Sequence, residues 1–334
     1  MGAGSDIVPS QTDPDTEVLS PAETAGGMPA AYRPKRPSES GFLEVRGLRY
    51  HLRRWPAVPV AEDSDEDVVD GPARTVFLLH GWMDVSASFQ FVADLLPANW
   101  TLLAPDWRGF GLSERPAADC YWFPDYLADL DRLLDILAPG EPVDLVAHSM
   151  GGNVAALYAG VRPERVRKLV NLEGVGMPAS RPGQAPDRYR EWLDALRAGP
   201  SLRDYDSHEA VAARLMKNNP RLRPDQAAFL AQHWGVAQPD GRFALAGDPA
   251  HRLVNPVLYR VDEVTEVWRR IEADVLWVLS EHANDWHAFV KTPEYRQRLS
   301  AIRRLSLVTV AGAGHMMHHD RPEAVATLIR EFLS

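Results

Sequence analysis

From Gly41 onward the apolar positions of the chain follow two rhythms. Phe42 to Val45 and Tyr50 to Trp55 alternate apolar and polar residues around turn chemistry at Gly47, the pattern of an antiparallel hairpin. Six short apolar runs follow without alternation: Thr75 to Leu79, Leu102 to Ala104, Val143 to Ala147, Lys168 to Leu172, Val275 to Leu279 and Leu305 to Val310. Runs of this length, rich in Val and Leu, suit strands buried on both faces. Between them lie helix-period stretches. Tyr126 to Leu137 sets Leu127, Leu130, Leu133, Leu134 and Leu137 on one stripe, and Ala324 to Leu333 closes the chain. Strand and helix in alternation predict an α/β fold, a mostly parallel eight-stranded sheet flanked by helices. The rhythm breaks between Pro178 and Glu272, where helical patterns occur at Arg188 to Ala198, Ser207 to Lys217, Pro224 to Trp234 and Asn255 to Ile271. This predicts a core of residues 41–177 and 273–334 carrying a mainly helical cap at 178–272.

Residues 1–40 differ in kind. They hold six prolines, many small and acidic residues and only scattered apolar ones, too few to offset the entropy of ordering, so a disordered extension is expected. A second soft stretch, Pro59 to Ala73, carries the run Glu62 to Asp67 and reads as a solvated acidic loop. No basic start followed by an apolar segment marks a secretory signal, and no stretch reaches the roughly eighteen apolar residues of a membrane span. A cytoplasmic protein is expected. With 334 residues, 45% of them hydrophobic, there is ample material for a packed core. The net charge of −10, without clustered Lys or Arg, argues against nucleic acid as a partner. The single cysteine, Cys120, excludes an intrachain disulfide and a cysteine-based metal site.

Chemistry enters where the run ending at Ala147 meets the small-residue helix after it. Ala147-His148-Ser149-Met150-Gly151 is a nucleophile elbow with Ala at its first position, where a small side chain still lets strand and helix approach. The turn lifts the Ser149 hydroxyl clear of the backbone, and the Met150 N–H at the helix start faces any negative charge forming beside it. An alcohol needs a base. His315, in a glycine-rich loop after the last strand, is the best candidate, because loops at the carboxyl ends of parallel strands converge on one crevice. His315, His318 and His319 also cluster, but they lack the helical H-E-x-x-H spacing of a metal site, and no metal is expected.

Four motifs in this order, Leu79-His80-Gly81-Trp82, Asp106 to Ser113, the elbow at Ser149 and Gly312-Ala313-Gly314-His315, resemble the α/β-hydrolase superfamily, specifically its cap-bearing branch. The resemblance spans Phe42 to the C-terminus. It implies that Trp82 and Met150 donate the two backbone N–H groups of an oxyanion hole, and that Asp106 to Ser113 form a structural loop beside the site. Residues 172–178 are similar to bacterial relatives of haloalkane dehalogenases and epoxide hydrolases, but those two use an aspartate nucleophile, and Ser149 argues against both activities.

The acid of the triad departs from the family pattern. Where many relatives carry a G-x-x-D turn, this chain has Ser280 and Ala283, with Asp285 two residues later. Glu173 competes from the end of the strand after the elbow helix; it needs no loop shift and has the longer reach. Glu173 is the preferred acid and Asp285 the alternative. The expected activity is a carboxylesterase acting on a small to medium hydrophobic ester through an acyl-enzyme, with a small molecule as partner and no cofactor. Trp192, Leu196, Met216, Phe229, Trp234 and Tyr259 are candidate pocket walls or cap core. Lactone opening, C–C hydrolysis or cofactor-free perhydrolysis on the same triad remain open, as does a non-catalytic binding protein.

Overall fold

A computed structural model describes residues 30–58, 72–282 and 289–334. The hairpin strands β1 (Glu39–Val45) and β2 (Leu48–Trp55) are followed by β3 (Arg74–Leu79), β4 (Trp100–Pro105), β5 (Val143–His148) and β6 (Val166–Leu172). The chain between β6 and the next sheet strand carries a small antiparallel pair, β7 (Gly235–Ala237) and β8 (Phe243–Leu245), before β9 (Asp274–Ser280) and β10 (Leu305–Val310) complete the main sheet. Its order is β1-β2-β4-β3-β5-β6-β9-β10, antiparallel at the first two pairings and parallel thereafter. Every parallel strand therefore ends at the same edge.

The period of two along each strand sorts its side chains between two apolar layers. Phe77, Leu79, Leu145, Leu169, Val275 and Trp277 face one side, where α2 (Phe123–Leu137), α3 (Met150–Val161), α7 (Val261–Trp268) and α8 (Pro293–Leu299) cover them. Val76, Leu78, Val146, Val170, Leu276 and Val278 face the other, under α1 (Gln90–Ala93) and α10 (Pro322–Leu333). Because both faces are covered, the central strands read as unbroken apolar runs. β10 departs from that expectation: as the edge strand it leaves Leu307 half exposed.

The remaining helices are α4 (Ala185–Ala198), α5 (His208–Asn218) and α6 (Pro224–Trp234) in the insertion, and α9 (Met317–Asp320) after β10. The helix expected over Asn255 to Ile271 is shorter and starts at Val261. Pro256 holds Asn255 out of the helical region, and residues 257–260 stay non-helical before Val261. The composition-based extension also ends too late. Within residues 30–40, the Tyr32 hydroxyl donates to Asp94 at 2.7 Å, and the buried Arg36 guanidinium donates to the carbonyls of Pro56 at 2.9 Å and Pro97 at 3.3 Å. Two side chains with long polar reach hold this part of a segment otherwise poor in apolar anchors. The remainder of the extension, the acidic run Glu62 to Asp67 and Asp285 lie outside the described residues. Among the described residues, no helix is long and apolar enough to cross a membrane.

Candidate active site

Ser149 sits between β5 and α3 with φ +50° and ψ −115°, a conformation that L-residues adopt only when the surroundings enforce it. The surroundings are close backbone contacts. A Cβ on Gly151 would lie 2.5 Å from the Leu79 carbonyl oxygen, so only glycine lets α3 press onto the end of β3. The Ser149 N–H donates to the Leu172 carbonyl at 2.8 Å, tying the elbow to β6.

Three segments converge on the Ser149 hydroxyl. His315 Nε2 lies 3.0 Å from Ser149 Oγ, and His315 Nδ1 lies 3.3 Å from Glu173 Oε2. A carboxylate accepts, so the Nδ1 proton faces Glu173 and the Nε2 lone pair is left for the hydroxyl. Glu173 is 2% exposed and directly follows β6, also at positive φ, +57°. Its N–H donates to the Val278 carbonyl at 2.9 Å, and its Oε1 accepts the Ser280 N–H at 2.5 Å. Ser280 thus supplies a backbone donor that orients Glu173.

The loop after β3 crosses directly beside the elbow. A Cβ on Gly81 would be 3.1 Å from the Ser149 Cβ. Trp82 follows it, and Met150 opens α3, whose first N–H groups have no acceptor inside the helix. The loop is fixed by His80, whose Nδ1 donates to the Gly81 carbonyl at 2.8 Å while its Nε2 accepts the Trp107 N–H at 2.9 Å. Complete burial holds His80 below the ordinary histidine range, and the hydrogen-bond roles require the neutral ring. Asp106 anchors the neighbouring loop, accepting from the Ser86 N–H at 2.6 Å, the Leu112 N–H at 3.0 Å and His51 Nδ1 at 2.8 Å. Burial opposes its charge, but the His51 contact and the other donors outweigh it and hold the carboxyl below its usual range.

Residues without a sequence signal complete the site. Asn171 Oδ1 accepts the Gly174 N–H at 2.7 Å and its Nδ2 donates to the Gly152 carbonyl at 3.3 Å, so one amide joins the elbow helix to the turn after Glu173. Asp320 accepts the Gly314 N–H at 2.8 Å and the Asn219 side-chain N–H at 2.7 Å, linking the His315 loop to α5. His148 Nε2 donates to the His315 carbonyl at 2.9 Å. The elbow motif names the position of His148, but only the fold shows what it holds. His318 and His319 do not join the His315 line; both are buried behind it.

Phe229 packs in the apolar cluster of the insertion, with Met216 and Trp234 against it, while Tyr259 meets Phe123 edge-on at 6.0 Å. The Trp192 indole donates to the Asp119 carbonyl at 3.1 Å. A cavity of about 320 Å³ is lined by Arg53, Ser86, Asp106 and Leu112 together with His233 and Val236, and Ser149, His315 and Glu173 are not in its lining. Cys120 is half-buried, and burial together with Asp125 and Asp119 pushes its thiol up.

A family model described as the alpha/beta hydrolase family matches residues 76–328. A serine hydrolase-like protein of Danio rerio is 30% identical over 314 residues, covering 87% of this chain and 93% of that one. A cis-3-alkyl-4-alkyloxetan-2-one decarboxylase of Shewanella oneidensis is 24% identical over 79% of this chain and 83% of its own length. Among solved structures, the thioesterase domain from the curacin biosynthetic pathway superposes with a TM-score of 0.72 at 26% identity, covering 88% of this chain and 99% of that one. The sheet order, the strained serine elbow and a family match spanning most of the chain lead to one assignment: this protein belongs to the α/β-hydrolase family.

Proposed function

We propose that the protein is a serine hydrolase that cleaves a small to medium hydrophobic ester through an acyl-enzyme, with Ser149 as nucleophile, His315 as base and Glu173 as acid. The observation that carries this reading is the continuous line from Ser149 Oγ through His315 to Glu173, at 3.0 and 3.3 Å. His315 Nε2 takes the hydroxyl proton as Oγ attacks the ester carbonyl, and Glu173 stabilises the imidazolium that forms. The negative oxygen of the tetrahedral intermediate is held by the Trp82 and Met150 N–H groups. Collapse breaks the C–O bond, and His315 returns its proton to the departing alcohol. Water, activated by the same imidazole, then releases the acid. These steps use only groups of the chain and water. Residues 178–272 act as the cap that bounds the acyl or alcohol side.

A lactone is a cyclic ester, so ring opening is the same chemistry with the leaving alcohol still tethered. The name of the Shewanella relative, which acts on an oxetan-2-one, makes small lactones the second class to assay. Covalent labelling by a fluorophosphonate, read by intact mass, tests the nucleophile. Wild type gains one adduct, and folded Ser149→Ala gains none. Labelling that persists in Ser149→Ala overturns the proposal. A panel of p-nitrophenyl esters and lactones then ranks the substrate classes.

A further inference from the structure

Beside His315 lies a group of side chains that the hydrolytic line does not use. Asp84 comes from the loop after β3, His148 from the end of β5 and His318 from α9; all three are buried, at 1%, 1% and 0% exposure. Each offers one ligating atom, and these atoms lie within 4.8 Å of one another. His148 spends its Nε2 proton on the His315 carbonyl, so its Nδ1 is a bare lone pair, and that atom is buried without a hydrogen-bond partner. His318 Nδ1 and His319 Nε2 are buried without partners as well. Buried polar atoms are ordinarily hydrogen-bonded, and three without partners in adjacent rings call for an explanation.

We propose that Asp84, His148 and His318 form a buried site for a borderline divalent transition ion, Zn2+ or Cu2+, and that loading it inhibits the enzyme. Two imidazoles and one carboxylate select such ions over Mg2+ or Ca2+, which prefer all-oxygen ligands. The arrangement at His148, one ring N–H on a backbone carbonyl and the other nitrogen bare, is the support that metal-bound histidines ordinarily receive. Metal–ligand bonds of about 2.0–2.1 Å place tetrahedral ligand atoms about 3.4 Å apart, so atoms now within 4.8 Å of one another draw together by about an ångström on binding. Ser88 Oγ, 2.8 Å from Asp84 Oδ2 and 3.4 Å from His318 Nε2, is the adjoining polar group.

The inhibitory sense rests on the role proposed above for His315. The His148 and His315 ring centroids are 4.8 Å apart, so a dication on His148 opposes the positive charge that His315 gains in the transition state. It also pulls on the carbonyl that His148 holds.

Binding is tested apart from catalysis in full-length Ser149→Ala, which keeps all three ligands. Titration with CuCl2, followed by electron paramagnetic resonance, is expected to give one bound Cu2+ per chain with nitrogen couplings from two imidazoles. The signal persists in Ser149→Ala/His315→Ala. In Ser149→Ala/His318→Gln, affinity falls at least tenfold, and Ser149→Ala/Asp84→Asn behaves alike if its circular dichroism is native. In the wild type, ZnCl2 lowers kcat with KM unchanged, EDTA reverses this, and His318→Gln resists it. A signal lost with His315 but kept in the His318→Gln variant puts the ion on the hydrolytic line and overturns the proposal, as does the absence of stoichiometric binding. If Ser149→Ala proves fully active, the hydrolytic reading fails while the copper titration still decides the metal site.

Discussion

The sheet edge that carries Ser149 and helix α4 of the insertion are held to very different degrees. Beneath Ser149, strands β3, β5, β6 and β9 send alternate side chains into two closed apolar layers, so the strand ends bearing His80, Ser149, Glu173 and Ser280 have almost no freedom. In the insertion, α4 buries no residue, and Tyr189 and Leu193 are about half exposed. The insertion meets the core through an apolar cluster, where Val85, Ala87 and Phe91 pack with Val211, Phe229 and Leu230, and through a polar and aromatic seam. The Gly111 N–H donates to the Ala246 carbonyl at 2.8 Å, and the Asp248 N–H to the Gly109 carbonyl at 2.7 Å. The His251 ring lies between Phe110 at 3.6 Å and Tyr121 at 3.7 Å. The seam reaches the nucleophile side through the Trp82 indole, which donates to the His251 carbonyl at 3.3 Å. The groups proposed to react thus stand on rigid strand ends, whereas α4 can change without moving them.

The largest effect should come from a one-atom change on the rigid side. Glu173→Gln keeps size and fold but cannot stabilise the His315 imidazolium, and it can hold the wrong tautomer. Ester turnover is expected to fall about 10³–10⁴-fold in kcat with KM nearly unchanged. A drop of less than tenfold would mean that the acid stands elsewhere, and Asp285→Asn is the variant that would then collapse the rate.

Next in size is packing. Trp277 is fully buried, stacks edge-on with Trp268 at 5.2 Å and donates its indole N–H to the Tyr295 hydroxyl at 3.1 Å. Trp277→Ala should cost about 3–5 kcal/mol in urea unfolding, enough to threaten a domain of ordinary stability. A cost under about 1 kcal/mol would contradict the closed-layer account of the sheet.

The same contrast decides how much was legible in the chain. The sheet strands stand within a few residues of their apolar runs, because burial on both faces leaves a mark at every position. Where burial is one-sided or the element short, the mark fades. β7 and β8 are three residues each, although the Gln238-Pro239-Asp240-Gly241 turn between them, with Gly241 at φ +85°, is a recognisable hairpin signal. At the site, Ser149 and His315 carry local motifs, and Glu173 follows from its place at a strand end. Asn171, Asp320 and Asp84 have no local signature, and His148 and His318 stand in the elbow and the histidine cluster without either pattern stating what they touch. Their roles exist only between segments separated by tens of residues or more.

Acid should act on the fold through its buried histidines, His251 of the seam among them. Burial lowers the His251 pKa to about 3, and burial with the Arg53 charge lowers that of His233 to about 4. The unfolded chain protonates both near pH 6.5, while the folded chain keeps them neutral. Between pH 6.5 and those lower values the unfolded state therefore binds more protons, and stability falls as pH falls. Each histidine contributes a slope of up to about 1.4 kcal/mol per pH unit. Urea midpoints measured from pH 7 to pH 4.5 should show this decline, and His251→Phe, which retains a ring in the stack, should flatten it. An unchanged slope in His251→Phe would remove His251 from the account.

The smallest effect is expected on α4. Leu193 is 46% exposed on a helix without a buried residue, so Leu193→Ser removes little apolar burial and costs a few tenths of a kcal/mol in helix propensity. Unfolding should shift by no more than about 0.5 kcal/mol, and kcat on a small ester should be unchanged, because α4 buries no residue through which a change could be passed on. Comparing KM across esters of increasing acyl length makes the test sharper. If α4 closes over long substrates, KM rises in Leu193→Ser for the longest chains alone. A uniform change in kcat would instead mean that α4 is coupled to the nucleophile side, and the division between a rigid edge and a permissive insertion would fail at that helix.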